Sequence, residues 1–466
     1  MKGFSMHRTC SPRLVAAALL IATLASCASL TPVSGPVATP PSPSPVPSVT
    51  PAPTPRPATP ASPAAPGPLR LDGEPVITVG LAWDLDSLTL TPVPGLAASD
   101  ARRPGGRMVP VRATLRFRRV GSGLMVEGAR GGGWEAEFSA TARETCWLAG
   151  PDPEAVTAAW NGKQWRGALG VFMNPRGRLT LVARLPLECY LRGVVPGEIG
   201  ALGEDRIEAG KAQAISARSY TLFYMGRRAS EGFDVFATVE DQLYSPVEGE
   251  RPLASRVVDE TRGQVALWDG QPIRANYSST CGGISSDVWE AWPATTVPYL
   301  TSHRDRRGGD DWCSASTHYR WRETWTVDEF MANLARYGPP FGVMFPPAGL
   351  GELLDVQVES RSRSGRVWRL GITTSTGKVA VPAYVLRQVL RRGGQPGSIL
   401  RSNLFKIAVK RDPATRAPVA VVASGAGSGH GVGLCQTGAL GMARGGEKAK
   451  AILEHYYPSA DIRALY

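Results

Sequence analysis

Hydrophobic and polar residues alternate over short stretches after residue 75, and a period of two is the spacing of half-buried β-strands. Turn signals separate these stretches at Trp83-Asp84, at Asn174-Pro175-Arg176-Gly177 and at Asp269-Gly270. The pattern therefore predicts a β-rich body, with strands within residues 76–92, 108–117, 123–127 and 178–184 and on both sides of the Asp269-Gly270 turn.

A helical spacing runs from residue 203 to residue 228. Glu204 and Asp205 lie in its first turn and Arg227 and Arg228 in its last, which is the charge order that the helix dipole favours. Alanines at positions 209, 212, 214 and 217 are small enough for neighbouring backbone to approach closely. We therefore expect a buried helix here.

A lone carboxylate, Glu198, stands just ahead of this helix and directly follows Pro196 and Gly197. We expect the proline-glycine pair to form a tight turn between the strand at 178–184 and the helix. On residue pattern alone, such a glutamate is a solvated residue that favours the positive end of the helix that follows it.

The second half of the chain predicts a separate α+β lobe and a glycine-rich run. Within residues 325–410 we expect a helix at 327–337, a pair of strands and a short helix near 383–391. Glycine then recurs at every second position from 425 to 433. If this run is extended, one face is bare backbone, against which another segment can lie closely. A helix is predicted at 448–457.

The N-terminal segment has the pattern of a secretion signal. Positive charges precede the apolar run at residues 14–24, which is too short to span a bilayer. The sequence Leu24-Ala25-Ser26-Cys27 resembles a bacterial lipobox, and it predicts cleavage before Cys27, lipid attachment to the Cys27 thiol and a location outside the cytoplasm, anchored to the bacterial cell envelope. The alternative is an ordinary cleaved signal with a chance cysteine.

Proline dominates residues 27–68, and this composition predicts an extended spacer. The whole chain has a formal net charge of +12. Outside the cytoplasmic membrane, a basic protein is attracted to anionic lipid and acidic wall polymers. Solvated arginine-rich loops are an equally good explanation of the charge. Secretion and the absence of a nucleic-acid motif argue against nucleic acid as a partner.

Several motifs resemble the SpoIID/LytB domain family. They occur in the family's order between residues 185 and 458, and they are LPLECYLRGVVPGEI, EAGKAQAISARSYTL, DQLYSPVEGE, TRGQVALWDGQPIRANYSSTCGGISSDVWE, VPYL and GHGVGLCQTGALGMARGG with ILEHYYP. The resemblance implies action on peptidoglycan glycan strands, as a lytic transglycosylase that cuts between N-acetylmuramic acid and N-acetylglucosamine. LytB-type relatives imply the alternative of a non-catalytic, wall-binding enhancer of a partner amidase.

The resemblance makes Glu198 the expected catalytic residue, because it follows the GVVP block. One carboxylate is sufficient for a lytic transglycosylase, since the C6 hydroxyl of muramic acid attacks and no second carboxylate is needed to activate water. A solute-binding lipoprotein is a further alternative, which the lack of two repeated α/β lobes disfavours. Candidate substrate-binding residues are Arg218, Tyr220, Gln242, Tyr244, Ser279, Cys281, Gly282, Gly283, His430 and Gln436.

Each of these candidates also has a structural interpretation. Arg218 can pair with a helix carboxylate and Tyr220 can pack in the core, while Gln242 and Tyr244 can cap a loop. His430, which Gln436 would orient, can be a residue with satisfied hydrogen bonds. Three aromatic residues can either stack on sugar rings or fill a core: Trp289, Trp292 and Tyr299.

No cofactor or metal is expected. The resemblance implies a zinc near the block ending in Gln-x-Tyr, yet residues 233–244 contain neither Cys nor His. Any zinc would have to use Cys281, Cys313 or His318. The spacings between the cysteines match no CxxC metal-binding pair. In an oxidising envelope Cys281 and Cys313 can instead form a disulfide, and Cys189 can be a small buried hydrophobic residue.

The sequence as a whole predicts an α+β fold. We divide the chain into a lipoprotein signal peptide at 1–26, a lipid-anchored proline-rich linker at 27–68, a β-rich part at 69–184, a SpoIID/LytB core at 185–324, an inserted α+β lobe at 325–410 and a GHGVG part of the core at 411–466.

Overall fold

The computed structural model describes residues 70–100, 108–111, 113–142, 144–293 and 295–466. The predicted signal peptide, Cys27 and the proline-rich linker lie outside the described residues. Everything described belongs to one compact unit. None of the helices in these ranges has the length and apolar character needed to cross a bilayer.

Strands dominate the N-terminal part, as the alternating pattern predicts. The first thirteen strands are β1 (Val76–Leu85), β2 (Ser87–Pro92), β3 (Ala97–Asp100), β4 (Met108–Pro110), β5 (Leu115–Val120), β6 (Gly123–Arg130), β7 (Gly133–Ala140), β8 (Cys146–Ala149), β9 (Val156–Trp160), β10 (Lys163–Arg166), β11 (Ala168–Met173), β12 (Leu179–Pro186) and β13 (Val235–Phe236). They form a seven-stranded sheet in the order β13-β1-β12-β11-β8-β3-β4 and a six-stranded sheet in the order β10-β9-β2-β5-β6-β7.

The C-terminal part has smaller sheets. Its strands are β14 (Gln264–Trp268), β15 (Gln271–Pro272), β16 (Tyr277–Ser278), β17 (Arg306–Arg307), β18 (Asp310–Asp311), β19 (Arg320–Thr326), β20 (Leu353–Arg361), β21 (Val367–Thr374), β22 (Gly377–Pro382), β23 (Arg391–Arg392), β24 (Gln395–Ile399), β25 (Phe405–Arg411), β26 (Pro418–Ala426), β27 (Leu434–Cys435) and β28 (Asp461–Ala464).

Seven helices are found among the described residues. They are α1 (Leu187–Ile199), α2 (Ile207–Tyr224), α3 (Pro252–Glu260), α4 (Val327–Tyr337), α5 (Ala383–Val389), α6 (Gln436–Arg444) and α7 (Ala449–Tyr456). The fold is therefore mixed α+β with a β-rich body, which confirms the predicted class. Helix α2 is the expected buried helix, and its alanines at 209, 212, 214 and 217 are completely buried.

The described residues contain two large hydrophobic cores. The first joins the N-terminal sheets to α1, α2, α3, α6 and α7. The second lies between Trp321 and Ala423 and packs α4 and α5 against the strands of that region. The predicted helix at 327–337 is confirmed at the same residues, with a capping box between Thr326 and Glu329 that fixes its start.

Two local predictions are wrong. Pro196 and Gly197 do not form a turn but lie inside α1, and Glu198 belongs to the last turn of that helix. The run from Gly427 to Gly433 is not an extended strand, because β26 ends at Ala426 and glycines 427, 429, 431 and 433 all have positive φ. Alternating left-handed glycines make a winding segment that other residue types rarely adopt.

Candidate functional site

Helix α1 carries Glu198 in its last turn. Two glycines on one face of this helix allow another segment to pack closely beside Glu198. Strand β12 leads directly into α1, and Gly193 and Gly197 are four residues apart on the same side. A Cβ at Gly193 would lie 2.6 Å from the Tyr244 ring, and one at Gly197 would lie 2.8 Å from the Leu243 carbonyl oxygen. The backbone of residues 243–245 therefore lies against the end of α1, beside Glu198.

Two neutral groups hold the Glu198 carboxylate. The backbone N–H of Leu243 donates to Oε1 at 2.7 Å, and the Gln436 side-chain amide donates to Oε2 at 3.2 Å. Within the described chain, Glu198 forms no ion pair with a basic side chain. Burial raises the pKa of Glu198 above its usual value, although both hydrogen bonds act in the opposite direction. The site thus favours a protonated glutamate more than water does.

Gln436 reaches Glu198 from a part of the chain more than two hundred residues away. Strand β27 pairs in parallel with β16, so that Leu434 lies beside Tyr277 and Cys435 beside Ser278. Helix α6 begins at the next residue, Gln436, with Cys435 as its N-cap. The close pairing needs Gly433, where a Cβ would lie 2.0 Å from the carbonyl oxygen of Asn276. The expected close approach to the glycine-rich run is confirmed.

Glu198 lies on the wall of a cavity of about 1180 Å³. Three of the predicted substrate-binding residues line it, namely Ser279, His430 and Gln436. Residues from the predicted lobe at 325–410 also line it, among them Tyr384, Arg387, Gln388, Ile399 and Asn403. The cavity is therefore open to a substrate that contacts both the core and the inserted lobe.

Positive charge predominates on the cavity wall. Arg387 donates from Nε to the Leu400 carbonyl oxygen at 2.8 Å, and burial lowers its pKa to about 10, which leaves it cationic at neutral pH. Arg274 lies over the Trp292 ring at 4.2 Å. The charged residues of the lining are Glu198, Arg227, Arg274, Glu290, Arg366 and Arg387.

His430 is neutral. Burial lowers its pKa to about 3, and the positive charges of Arg387, Arg366 and Arg274 act in the same direction. Its Nδ1 accepts a hydrogen bond from the Val432 N–H at 3.0 Å, which leaves Nε2 as the protonated nitrogen. Gln436 does not orient His430, contrary to prediction, because the Gln436 amide is bound to Glu198.

Arg218 does not face the cavity. Its fully buried guanidinium makes a bidentate pair with Glu188 of α1, with N–O distances of 2.8 and 2.6 Å. A third hydrogen bond runs to the Gln264 carbonyl oxygen at 3.0 Å. The substrate-binding prediction for Arg218 is therefore wrong, and the alternative, a pair with a helix carboxylate, describes it.

Gln242 and Tyr244 also lie outside the cavity lining. The Gln242 amide donates to Thr221 Oγ1 at 2.8 Å and to Tyr190 at 3.2 Å, and its oxygen accepts from Tyr277 at 2.7 Å. The Tyr244 ring packs 5.0 Å from that of Tyr190. Since the Gln242 side chain is buried with its hydrogen bonds satisfied and the Tyr244 ring is buried by packing, direct substrate contact is the wrong prediction for both.

The remaining candidates lie around the site in different ways. Tyr220 is buried, but it lines a small recess of about 160 Å³ that also includes Glu198 and His430. Gly282 and Gly283 line a separate cavity of about 600 Å³, and Cys281 is completely buried. We expected these three residues of the CGG segment to form part of the wall of the Glu198 cavity, and that prediction is wrong.

The aromatic residues that were predicted to stack on sugars are packed against other side chains or buried. Arg274 covers one side of Trp292, and the ring of His430 lies 5.0 Å from it. Trp289 packs edge-on against Trp368 at 5.0 Å, and Tyr299 is buried. The packing interpretation therefore fits Trp289 and Tyr299.

Several residues that line the site were not predicted from the sequence. The Leu243 contact uses backbone, and no side-chain motif could have revealed it. Arg387 and Tyr384 come from α5, which the pattern predicted as a helix without indicating which cavity it faces. Arg274, Tyr277 and Ser278 also line the cavity, and they had a usable sequence signal because they lie in the RANYSS segment of the family-like block.

The block from residue 233 to 244 does not fit a metal. Of its three acidic residues, the buried Asp241 accepts hydrogen bonds from Arg227 at 3.1 Å and from Arg228 at 3.2 Å, and from the Phe236 N–H at 2.9 Å. Since arginines already neutralise this carboxylate and no Cys or His lies in the block, the residues do not suit the zinc that the resemblance implies there.

Fold and site together define an α+β protein with one desolvated carboxylate on the wall of a large cationic cavity, and parts of the chain are similar to known proteins. Residues 175–268 match the family model described as stage II sporulation protein. Residues 306–433 match a domain of unknown function.

Three relatives illustrate the similarity. An uncharacterized protein of Brachyspira hyodysenteriae is 28% identical over 310 residues, which are 65% of this chain and 73% of the relative. Stage II sporulation protein D of Bacillus subtilis is 26% identical over 296 residues, 60% of this chain and 75% of the relative. An amidase enhancer of Bacillus subtilis is 25% identical over 307 residues, 58% of this chain and 40% of the relative. Part of this chain is therefore similar to the SpoIID/LytB family, whose relatives here include both stage II sporulation protein D and an amidase enhancer.

Proposed function

We propose that this protein is a peptidoglycan lytic transglycosylase in which Glu198 is the only acid/base. The observation that carries the proposal is the environment of Glu198: a carboxylate on a cavity wall, held by two neutral donors, with a pKa raised by burial. A general acid must be protonated at working pH, and burial without a cationic partner favours that state.

The reaction needs one carboxylate in two successive roles. Protonated Glu198 donates its proton to the glycosidic oxygen between N-acetylmuramic acid and N-acetylglucosamine as the C1–O bond breaks. The resulting carboxylate then accepts the proton of the muramic acid C6 hydroxyl, whose oxygen attacks C1 and forms the 1,6-anhydro ring. The proton count closes, and no water is consumed.

A second free carboxylate, as used by ordinary glycosidases, is not supplied by Glu290. That residue also lines the cavity, but its oxygens accept hydrogen bonds from Ser362 Oγ at 2.8 Å and from the Ser364 N–H at 3.2 Å. Arginines such as Arg274 and Arg387 would complement the carboxylates of muramic acid and of its peptides. These features support a glycan carrying acidic groups as the substrate.

The decisive test is to incubate the full-length protein with peptide-free glycan strands and detect 1,6-anhydromuramic ends by mass spectrometry. We expect Glu198→Gln to reduce product formation by at least about 100-fold, because the amide cannot transfer the proton. The matched control is Glu454→Gln on the exposed face of α7, which should leave the rate unchanged. Equal product from Glu198→Gln, or none from the unaltered protein, would refute the catalytic proposal.

A second candidate role is suggested by the amidase enhancer of Bacillus subtilis, which matches 58% of this chain. In that role the cavity binds glycan and the chain stimulates a partner amidase without cutting. Glycan binding and amidase stimulation that survive Glu198→Gln, with no anhydro product from the unaltered chain, would favour the enhancer.

We also propose that the protein acts from the cell envelope through lipid on Cys27, on the basis of the LASC sequence alone. We expect a Cys27→Ser variant to be absent from the detergent-extracted membrane fraction and to incorporate no labelled fatty acid. Unchanged membrane retention and labelling would contradict the anchor.

A further inference from the structure

Three cysteines and one aspartate converge in the core behind the cavity wall. Cys281, Asp305, Cys313 and Cys435 come from four separate segments, and each side chain is completely buried. One potential ligand atom from each lies within 4.8 Å of the other three. Cysteines are scarce in this chain, seven in 466 residues, so that three around one point is a specific arrangement.

The spacing agrees with a tetrahedral ion. In a zinc site with Zn–S bonds of about 2.3 Å, two sulfurs on the edge of a tetrahedron are about 3.8 Å apart. The Sγ atoms of Cys281 and Cys313 are 3.7 Å apart, which matches this edge. Asp305 Oδ2 accepts a hydrogen bond from the Cys281 thiol at 2.9 Å, and these two atoms would separate to about 3.5 Å when both bind the ion. None of these three cysteines takes part in a disulfide within the described chain.

Three backbone N–H groups donate hydrogen bonds to two of the sulfurs. The Cys281 N–H donates to Cys435 Sγ at 3.1 Å and the Gly438 N–H does so at 3.3 Å, while the Gly283 N–H donates to Cys281 Sγ at 3.4 Å. Such donors stabilise negative sulfur, and a thiolate is the form of cysteine that binds metal.

The aspartate is oriented in the same way. Its outer oxygen Oδ1 accepts from the Tyr456 hydroxyl at 2.7 Å and lies 3.3 Å from His455 Nε2, which leaves Oδ2 directed at the Cys281 sulfur. Among the described residues, His455 is the sole basic side chain paired with Asp305. A buried carboxylate beside three thiols needs a positive charge, and a metal ion would supply it.

One buried cation nearby, Arg366, forms no ion pair with an acidic side chain among the described residues. Arg366 is 4% exposed and donates to the carbonyl oxygens of Cys281 at 2.9 Å and Ile284 at 3.1 Å, yet it forms no ion pair within the described part of the chain. A divalent ion bound by three thiolates and one carboxylate leaves an excess of negative charge. Arg366 lies against the backbone of one ligand and is placed to balance that charge.

We propose that Cys281, Asp305, Cys313 and Cys435 bind one zinc ion as a closed structural site. Soft thiolate ligands select zinc over magnesium or calcium, and four protein ligands leave no position for substrate. The site lies apart from the 233–244 block, and it departs from the expectation of no metal. A Cys281–Cys313 disulfide, the other possibility for these residues, would leave Cys435 and Asp305 unexplained.

The ion would also position the candidate active site. Cys435 is the N-cap of α6 and directly precedes Gln436, the donor to Glu198. Cys281 follows two residues after Ser279, which lines the same cavity. Zinc binding would therefore join the segments that carry two cavity residues, without taking part in the reaction.

The test is metal analysis of the full-length chain, purified without chelators and with thiols kept from air. We expect about one zinc per chain by mass spectrometry of the elements, and loss of that zinc in Cys435→Ala. The matched control is Cys189→Ala, a buried cysteine whose sulfur lies 3.9 Å from the Glu154 carbonyl oxygen, away from the cluster. This variant should keep its zinc.

A second measurement uses the unaltered protein, so that its result does not depend on whether a variant folds. Replacing zinc by cobalt in the unaltered protein should produce the visible bands of tetrahedral cobalt and the near-ultraviolet charge transfer of thiolate ligands. Alkylation under denaturing conditions should find Cys281 and Cys313 as free thiols. A Cys281–Cys313 disulfide, a protein free of zinc that gives no cobalt bands, or equal zinc in the Cys435→Ala variant would each overturn the proposal.

Discussion

At the scale of single residues, the protonation of Glu198 is set by opposing effects of unequal size. Burial raises the pKa, while the Leu243 N–H and the Gln436 amide both lower it, and the net shift is upward. The Leu243 contact is backbone and cannot be removed by a side-chain change. The Gln436 amide is therefore the one donor that mutation can remove selectively.

Removing that donor predicts a shift in the pH profile. Gln436→Met keeps the side-chain length but removes the hydrogen bond that stabilises the carboxylate, so that the pKa of Glu198 should rise further. Protonated Glu198 starts the proposed reaction, hence activity falls as the pH passes above its pKa. The alkaline limb of the pH–rate profile should move to higher pH in Gln436→Met.

The control for this prediction is Gln357→Met, which lies exposed on β20 and far along the chain from the site. It should leave the profile in place. A limb that stays fixed in Gln436→Met, or moves to lower pH, would show that this amide does not tune Glu198.

Sequence could identify some of these residues but not their contacts. Glu198 and Gln436 stand in motifs that the family resemblance singles out, and both line the cavity. Arg218 and Gln242 stand in equally distinctive motifs, yet they point into the core. A motif gives residue types, whereas the direction of a side chain depends on packing from distant segments.

At the scale of elements, α1 and α2 are joined by a charged pair in an apolar core. Glu188 of α1 accepts from Arg218 of α2, and it also accepts from the Gly263 N–H at 3.2 Å and from the Tyr466 hydroxyl. Each oxygen of the carboxylate is thus satisfied. The pair fixes the orientation of α1, whose last turn carries Glu198.

Breaking this pair should be costly. Arg218→Met leaves the Glu188 carboxylate buried without its cation, and the free energy of unfolding should fall by about 3–5 kcal/mol. Arg256→Met is the matched control, because its pairs with Glu204 and Glu260 are exposed. It should cost no more than about 1 kcal/mol.

Denaturant unfolding followed by circular dichroism measures both variants. A loss in Arg218→Met no larger than that in Arg256→Met would contradict the role assigned to the buried pair.

Local patterns predicted many elements well. Both hairpins that were marked by turn dipeptides form, at residues 168–186 and 264–272. Helix α1 was missed because Gly193, Pro196 and Gly197 all lower helix propensity. The structure overrides that propensity, since the same glycines allow residues 243–245 to pack against the helix. Such a compensation comes from distant contacts and has no local signal.

At the scale of the whole molecule, the cavity depends on two hydrophobic cores. Glu198 and His430 are held by segments that pack on the first core, whereas other lining residues come from α5, whose Leu386 and Val389 are completely buried in the second. Sequence predicted the α+β class, which is confirmed, and the lobe at 325–410 stays a prediction. It could not predict that the lobe completes the cavity, because the facing surfaces share no repeat or motif.

This arrangement predicts that damage to the second core impairs glycan binding at a distance. Trp325 is completely buried, packs 5.9 Å from the Phe330 ring and donates from Nε1 to the Arg391 carbonyl oxygen at 2.6 Å. Trp325→Ala should lower the free energy of unfolding by about 3–5 kcal/mol, because it leaves a large cavity in that core. Loosening α5 should also weaken glycan binding, although Trp325 does not line the cavity.

Trp134→Ala is the control, because Trp134 is 38% exposed on β7 of the N-terminal part, and its loss should change neither quantity appreciably. Calorimetric titration with glycan fragments measures binding, and denaturant unfolding measures stability. Full glycan affinity in a folded Trp325→Ala protein of reduced stability would mean that the core-side wall, with Glu198 and His430, binds the strand without the inserted lobe. The substrate path would then have to run along the core alone.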